Sequence, residues 1–323
     1  MTSLSYAFSR QPNVMTFVSP SCSIFGLLAM PRYMVIKLYM VKSGTHGYGV
    51  ITMRTLVKKF LPLPLRVRLK KMWYSFMDLC YPRAAKRVPA RAETFIGEGN
   101  FIWIGDSFFR TLKKHGLKPE HDVLDIGCGQ GRMARPMVGE LTGRYCGVDI
   151  NSDGIEWCKS QYDDVPNFNF RHMDVFNPLY NKGGTQAAQD FVFPLETASF
   201  DVVFLVSVFT HMRGVEVENY LREAARCLKN GGQVLASWYL LDEVSTRANK
   251  PHIDFAYNLG ENSRTSLKCT PEAAIAFDFD FVKSLYQKAG LEIIAIEFGT
   301  WARPDSQHML QDLIVARKTD RKA

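Results

Sequence analysis

The chemistry in this chain of 323 residues is concentrated in a glycine-rich run, three aspartates and one histidine. Val123–Gly131 reads VLDIGCGQG: Asp125 near the end of an apolar run, then Gly127, Cys128, Gly129, Gln130 and Gly131. Glycine lacks the Cβ that would block a close ligand and adopts left-handed φ without penalty. A strand that opens through such a loop toward a helix brings backbone N–H groups to a ligand. A dinucleotide fingerprint would need its third glycine where Arg132 stands, and a carboxylate at Asp125 sits badly beside a pyrophosphate. Asp125 suits a cation, such as the α-amino or sulfonium side of an amino-acid-bearing nucleoside. Eighteen residues after Gly131, Asp149 closes a second apolar run, Tyr145–Ile150, where a carboxylate can accept two ribose hydroxyls. Asp174, in the run His172–Val175, follows a third and is placed to meet an adenine amino group. Each aspartate alone is also explained as a turn or cap residue; three in order beside a glycine loop make a constellation.

His211, in Ser207–Met212 (SVFTHM), stands four residues beyond Ser207 and at the mouth of the same pocket. An unperturbed imidazole titrates near ~6.5, which suits a general base; the alternative is a histidine that lines the pocket or caps the next helix. No His, Cys and Asp spacing supports a metal. The seven cysteines are odd in number and form no C-x-x-C pair, which argues against a disulfide framework and fits a reducing cytosol. Asn177–Tyr180 (NPLY) reads as a turn. Base-directed amino-methyltransferases carry an Asn-Pro-Pro-Tyr type of element after the fourth strand, where this chain has Ser207–Thr210.

These residues need elements to hold them. Val123–Ile126 reads as a strand, its loop leading to a helical stretch around Arg132–Leu141. Tyr145–Ile150, Phe168–Met173 and the wholly apolar-flanked Phe200–Val206 read as further strands, the last buried on both faces. Ser152–Gln161, capped by Ser152, and Val215–Leu228 read as helices. Gly231–Gly232 turns into a strand over Gln233–Leu240, and Ala276–Ala289 is helical up to Gly290. Leu291–Phe298 and Leu310–Arg317 form a closing antiparallel pair. Such alternation implies a parallel sheet with helices on both faces. Phe101, Trp103, Phe108, Phe109, Trp238, Tyr239 and Trp301 supply aromatic faces for an acceptor or for the core. Arg303 is a candidate for an acidic substrate group, and the acids of Phe277–Phe281 (FDFDF) for the pocket wall.

From about residue 95 to 318 the chain resembles the class I S-adenosylmethionine-dependent methyltransferases. Val123–Gly131 resembles their first motif, Asp149 their ribose acid and Asp174 their adenine-side acid. Phe200–Ser207 resembles their strand-four motif, and Leu228–Leu235 (LKNGGQVL) the turn into strand five. The resemblance implies an α/β, doubly wound, mostly parallel seven-stranded sheet, order 3-2-1-4-5-7-6, with the cofactor over the carboxyl ends of strands one to four. It implies S-adenosylmethionine as cofactor, held by Asp125, Gly127, Cys128, Gly129, Gly131, Asp149, Ile150, Asp174, Val175 and Ser207, and no metal. The expected function is methyl transfer to a small, lipid-linked or sugar-linked hydroxylated metabolite, driven mainly by alignment, with His211 as base. A non-catalytic cofactor-binding regulatory module and a nicotinamide-dependent oxidoreductase are the alternatives; Asp125 and Arg132 weigh against the second.

Length is about twice the ~150-residue domain norm, and charge divides the chain. Residues 1–92 carry fifteen Lys/Arg against one acid, Asp78, a net of +14; residues 93–323 carry a net of −6. An acidic core is a poor grip for a phosphate backbone, so no nucleic-acid partner is expected. Residues 1–53 show no periodic pattern and are expected as a poorly structured extension. The uncharged stretch Gln11–Pro31 is broken by prolines, and its apolar core, Ile24–Met30, falls far short of the ~20 residues of a membrane span. Residues 54–92 read as a basic amphipathic helical segment, with Leu65, Leu69, Met72, Trp73, Phe76 and Leu79 on one stripe. That segment either packs on the catalytic domain, residues 93–323, or lies on an anionic membrane surface. The expected location is the cytoplasm, with peripheral membrane contact.

Overall fold

A strand with no polar face must be covered on both sides. Val123–Ile126 (β1) and Tyr145–Asp149 (β2) are buried at every position. Phe168–His172 (β3) has an exposed side, and Phe200–Leu205 (β4) is buried except at Asp201. Leu228–Trp238 (β5) follows. An excursion then adds Leu240–Leu241 (β6), Tyr257–Asn258 (β7), Ser263–Thr265 (β8) and Ile275–Asp278 (β9). Leu291–Glu297 (β10) and Asp312–Lys318 (β11) close the chain of strands. The computed structural model describes residues 37–38, 51–52, 63–80, 85–94, 100–248, 251–306 and 309–319.

The chain forms two units, 1–84 with 89–95, and 85–88 with 96–323. The second holds a seven-stranded sheet in the order β3-β2-β1-β4-β5-β11-β10. β3 to β5 run parallel, and β11 runs antiparallel to both of its neighbours. Ile126 pairs with Val148 and with Leu205, and Leu205 with Ala236. This register brings Gly127, Asp149, Ser207 and Ser237 to one edge, the carboxyl end of the sheet.

Alternate residues face opposite layers. Leu124, Ile126, Val203, Leu205, Val234 and Ala236 pack against helices Gly214–Cys227 and Phe279–Lys288. Val123, Val202, Phe204 and Leu235 pack on the other face, against Phe101–Lys114 and Ser152–Gln161. Counting from the N-terminus, these helices are α2 (Phe101–Lys114), α3 (Ser152–Gln161), α4 (Gly214–Cys227) and α6 (Phe279–Lys288); α1 is Leu63–Cys80 in the first unit and α5 is the short Glu243–Thr246. In the first unit, Lys37–Leu38 and Ile51–Thr52 form a two-residue antiparallel ladder. There, Met72, Phe76 and Leu79 of α1 are exposed, and Asp78 accepts from the backbone and the guanidinium of Arg91. The side chain of Leu65 lies outside the described residues, as does most of the 1–53 extension.

The structure corrects four readings. The helix expected around Arg132–Leu141 is only a single 3₁₀ turn, Arg135–Met137, because Pro136 offers no N–H and Gly139 takes φ +80°. α3 is capped by Asn151, whose side chain accepts from Gly154 N–H at 2.7 Å, rather than by Ser152. The helix expected from Ala276 begins at Phe279. The preceding alternation is the strand β9, and Asp278 caps α6 by accepting from Asp280 and Phe281. Finally, β5 starts at Leu228, and its Gly231, at φ +75°, is an irregularity within the strand. The sheet β6-β9-β8-β7, inserted between β5 and α6, has no counterpart in the sequence reading.

Candidate functional site

The glycine loop leaves β1 through three left-handed glycines: Gly127 at φ +81°, Gly129 at +56° and Gly131 at +66°. A Cβ on Gly127 would fall 2.4 Å from the Val208 side chain, and one on Gly131 would meet the Tyr162 ring at 2.9 Å. Four loop amides turn inward. Those of Gly127 and Cys128 donate to Val148 O (2.7 and 3.1 Å), that of Gly129 to Asp149 Oδ2 (2.7 Å) and that of Gly131 to Cys128 O (2.9 Å). The loop is therefore no nest for a pyrophosphate. Its glycines are required by their left-handed φ, and at Gly127 and Gly131 also by the close packing of Val208 and Tyr162. The acceptor capacity left on Asp149 at the loop's edge is what fits the nucleoside that the resemblance implies.

The predicted acids fall in three environments. Asp125 is buried and accepts the Tyr145 hydroxyl at 2.6 Å; burial raises its carboxyl to about 8. Asp149 is buried at the sheet edge and its pKa is raised, chiefly by burial and against the pull of the amides of Gly129 and Asn151, which donate to its two oxygens at 2.7 Å each. A carboxylate offers about four acceptor sites, so ribose hydroxyls can be added to the two amides. Asp174 is partly exposed, and hydrogen bonds from the Thr185 hydroxyl and amide hold its carboxyl below the usual range. Ile150 is half-buried beside Asp149, its carbonyl 3.1 Å from His172 Nε2, and Val175 is buried in a bridge to Gln186. Cys128 is buried, with its thiol pushed up by burial.

Across the edge, β4 ends in a turn at Ser207, a non-glycine residue at φ +59°. Its amide donates to Ser237 Oγ at 2.7 Å and its hydroxyl to Gln311 Oε1 at 3.0 Å. Val208 lies on Gly127, and the 3₁₀ turn Phe209–His211 follows. His211 Nδ1 is 2.8 Å from the carbonyl of Glu272, in the inserted segment, and burial lowers the imidazole pKa. Tyr180 approaches His211 edge-on, ring centroids 5.4 Å apart, and its hydroxyl pKa is raised, chiefly by burial. Asn177 fixes that tyrosine by accepting from the amides of Leu179 and Tyr180, so NPLY is the turn that its sequence suggests. The structure thus brings Gly127, Asp149, Ser207 and His211 to one edge.

Tyr180, Glu272 and Gln311 escaped the sequence reading. Only NPLY offered a signal, and a turn motif does not say where its tyrosine points. Of the candidates for the acceptor pocket, Arg303 is engaged by Asp242 and stacks 3.9 Å over Phe298. Asp278 is the α6 cap, and Asp280 pairs with Lys283. Trp238 is fully buried among Phe209, Phe277 and Tyr286, whereas Trp103 is 60% exposed. Tyr239, Phe255 and Trp301 form a separate aromatic cluster. Beside Trp301 a cavity of about 490 Å³, lined also by Val244, Arg247, Pro251 and His252, opens on the segments that follow β5 and β10.

Residues 124–236 match the family described as methyltransferase domain. The sterol 24-C-methyltransferase of Schizosaccharomyces pombe is 30% identical over 166 residues, 48% of this chain and 39% of the relative. That of Yarrowia lipolytica is 25% identical over 196 residues, 56% of this chain and 48% of the relative. The chain therefore spans less than half the length of these curated relatives. Among solved structures, the PH0226 protein of Pyrococcus horikoshii superposes with a TM-score of 0.48 at 18% identity, covering 70% of this chain and 94% of that one.

Proposed function

Since this chain belongs to the class I S-adenosylmethionine-dependent methyltransferases, with that sulfonium nucleoside as its cofactor, we propose that it methylates a hydroxyl of a small lipid-linked or sugar-linked acceptor, with His211 as general base. The observation that carries the reading is the contact of His211 Nδ1 with the Glu272 carbonyl. A carbonyl oxygen only accepts, so Nδ1, 2.8 Å from Glu272 O, holds the proton and Nε2 keeps its lone pair. Burial lowers the imidazole pKa, against the pull of the Glu272 carbonyl, and so favours the neutral ring.

When bound, S-adenosylmethionine supplies a methyl group on a sulfonium that is already a good leaving group. The chain's residues therefore contribute alignment, which is worth several kcal/mol, and proton removal. Asp149 and the glycine loop hold the nucleoside, Val208 and the Ser207 turn fix the distance to His211, and Nε2 takes the acceptor's hydroxyl proton. The likeness to two sterol 24-C-methyltransferases supports a lipid acceptor. It also favours a second reading, methylation at carbon, in which the departing proton comes from carbon. Cytoplasmic residence at a membrane surface belongs to the same proposal, supported by exposed Met72, Phe76 and Leu79 on a helix that also carries Arg66, Arg68, Lys70 and Lys71. Among the described residues no helix is long and apolar enough to cross a membrane.

Calorimetric titration of S-adenosylhomocysteine and of NAD into the full chain is the first test; binding of the former alone is expected. Labelled methyl donor is then offered with hydroxylated lipids, sterols and glycosides, and the methylated atom is read by mass spectrometry. NAD binding without S-adenosylhomocysteine binding would overturn the cofactor reading, and a product methylated at carbon would replace the hydroxyl with the second reading.

A further inference from the structure

Ser207, Ala198 and Arg87 are the non-glycine residues with left-handed φ among the described residues. A left-handed side-chain-bearing residue persists where its surroundings over-determine it, and such positions concentrate at functional sites. Ser207 is over-determined by side chains from two other strand ends. Ser237 Oγ accepts the Ser207 amide and so turns its own hydroxyl hydrogen toward Gln311 Oε1, at 2.7 Å; the Ser207 hydroxyl donates to the same oxygen at 3.0 Å. The other end of that amide donates to the Tyr239 hydroxyl at 3.4 Å. One amide oxygen thus ties the ends of β4 and β5, and its nitrogen is anchored in the aromatic cluster.

Gln311 is itself fixed. The next residue, Asp312, is fully buried and accepts from the Gly299 amide (2.8 Å), the Leu240 amide (2.8 Å) and Trp301 Nε1 (2.7 Å). Downstream of the tie, Val208 O accepts from the His211 amide at 2.9 Å, so the conformation at Ser207 is passed in four residues to the imidazole. We propose that Gln311 is a positioning residue of the methyl-transfer site, which locks the left-handed turn at Ser207 and through it sets the orientation of His211. The proposal rests on the reading of His211 as the base, and its main readout does not need the acceptor.

The test is the nuclear magnetic resonance titration of the His211 ring in the full chain, compared among the parent, Gln311→Met and Gln311→Glu. Methionine keeps the length but offers no strong acceptor, whereas glutamate keeps an oxygen for both serines. In Gln311→Met the His211 ring should titrate closer to the solvent value of about 6.5, with broadened signals and S-adenosylhomocysteine affinity within about twofold of the parent. Gln311→Glu should restore the parent titration. Adding Ser207→Gly to Gln311→Met should restore it in part, because glycine holds that φ without a clamp. If Gln311→Met fails to fold, Ser207→Ala, which removes one arm of the tie, is read in its place. An unchanged His211 titration in a folded Gln311→Met or Ser207→Ala protein would overturn the proposal. A failure of the base reading looks different: His211→Ala would leave turnover intact while the Gln311 variants still shifted the ring.

Discussion

The two sides of the site are built by different means. On the β1–β2 side, the glycine loop is tied by its own amides to Val148 and Asp149 of the neighbouring strand and to Cys128 of the loop itself. On the β4–β5 side, the turn carrying Ser207 and His211 is held by side chains and a carbonyl from far along the chain: Ser237, Glu272 and Gln311. Backbone ties of the first kind make a surface that fits one invariant ligand. Side-chain ties of the second kind can be changed residue by residue, which suits the part of a site that must vary with its acceptor. The difference predicts that substitutions on the first side act on nucleoside affinity, and on the second side on turnover.

The largest effect should come from His211→Ala: turnover falls at least about 100-fold, with S-adenosylhomocysteine affinity nearly unchanged. In the parent, the acid limb of the pH profile should lie below about 6.5 because burial lowers the imidazole pKa. Equal losses in affinity and turnover would erase the contrast between the two sides. Next in size, Asp149→Ala should weaken S-adenosylhomocysteine binding at least about tenfold, as ribose hydroxyls and two amides lose an acceptor worth about 1–3 kcal/mol. Unchanged calorimetric affinity would remove Asp149 from the site.

A smaller effect concerns Asp125. Its carboxyl is raised to about 8 in the fold, so the native protein retains a proton that the unfolded chain releases near about 4. Stability from this group is complete below that lower value and is lost progressively as pH rises to the folded pKa. Asp125→Asn should therefore flatten the decline in denaturant stability between pH 5 and 8 by more than about 1 kcal/mol; an unaltered slope would mean that Asp125 is ionised in the fold. The smallest expected change lies outside the site: Phe76→Ser with Leu79→Ser should lower binding to anionic vesicles at least about threefold, in a salt-sensitive manner. Equal vesicle binding by parent and variant would leave α1 without a membrane role.

The same contrast explains what was legible in the residues. β1 to β4, β10 and β11 announce themselves as apolar runs, their alternation with helices implies a parallel sheet, and the strand order is what the family resemblance implies. The glycine loop and Asp149 are near neighbours across a strand pair, so spacing alone places them at one edge. The clamp around Ser207 could not be read in this way, since glutamine, serine and a backbone carbonyl carry no periodic signal and meet only when distant strands pair. The helix expected after the loop failed on Pro136 and the left-handed Gly139, and the inserted sheet was hidden because its strands are two to four residues long. Phe277–Phe281 carries strand alternation and helix start in the same five residues.

The order of β11 in the sheet has a consequence for how the protein is made. Gln311 lies 104 residues beyond Ser207, and β11 must insert between β5 and β10 before the two can meet. During synthesis from the N-terminus, β1 to β4 and their loops are available to pair long before that strand emerges, and contacts of such separation form late in folding. The connectivity thus places the tie between Ser207 and Gln311 among the last contacts of the sheet to form, after the glycine loop and Asp149 have met.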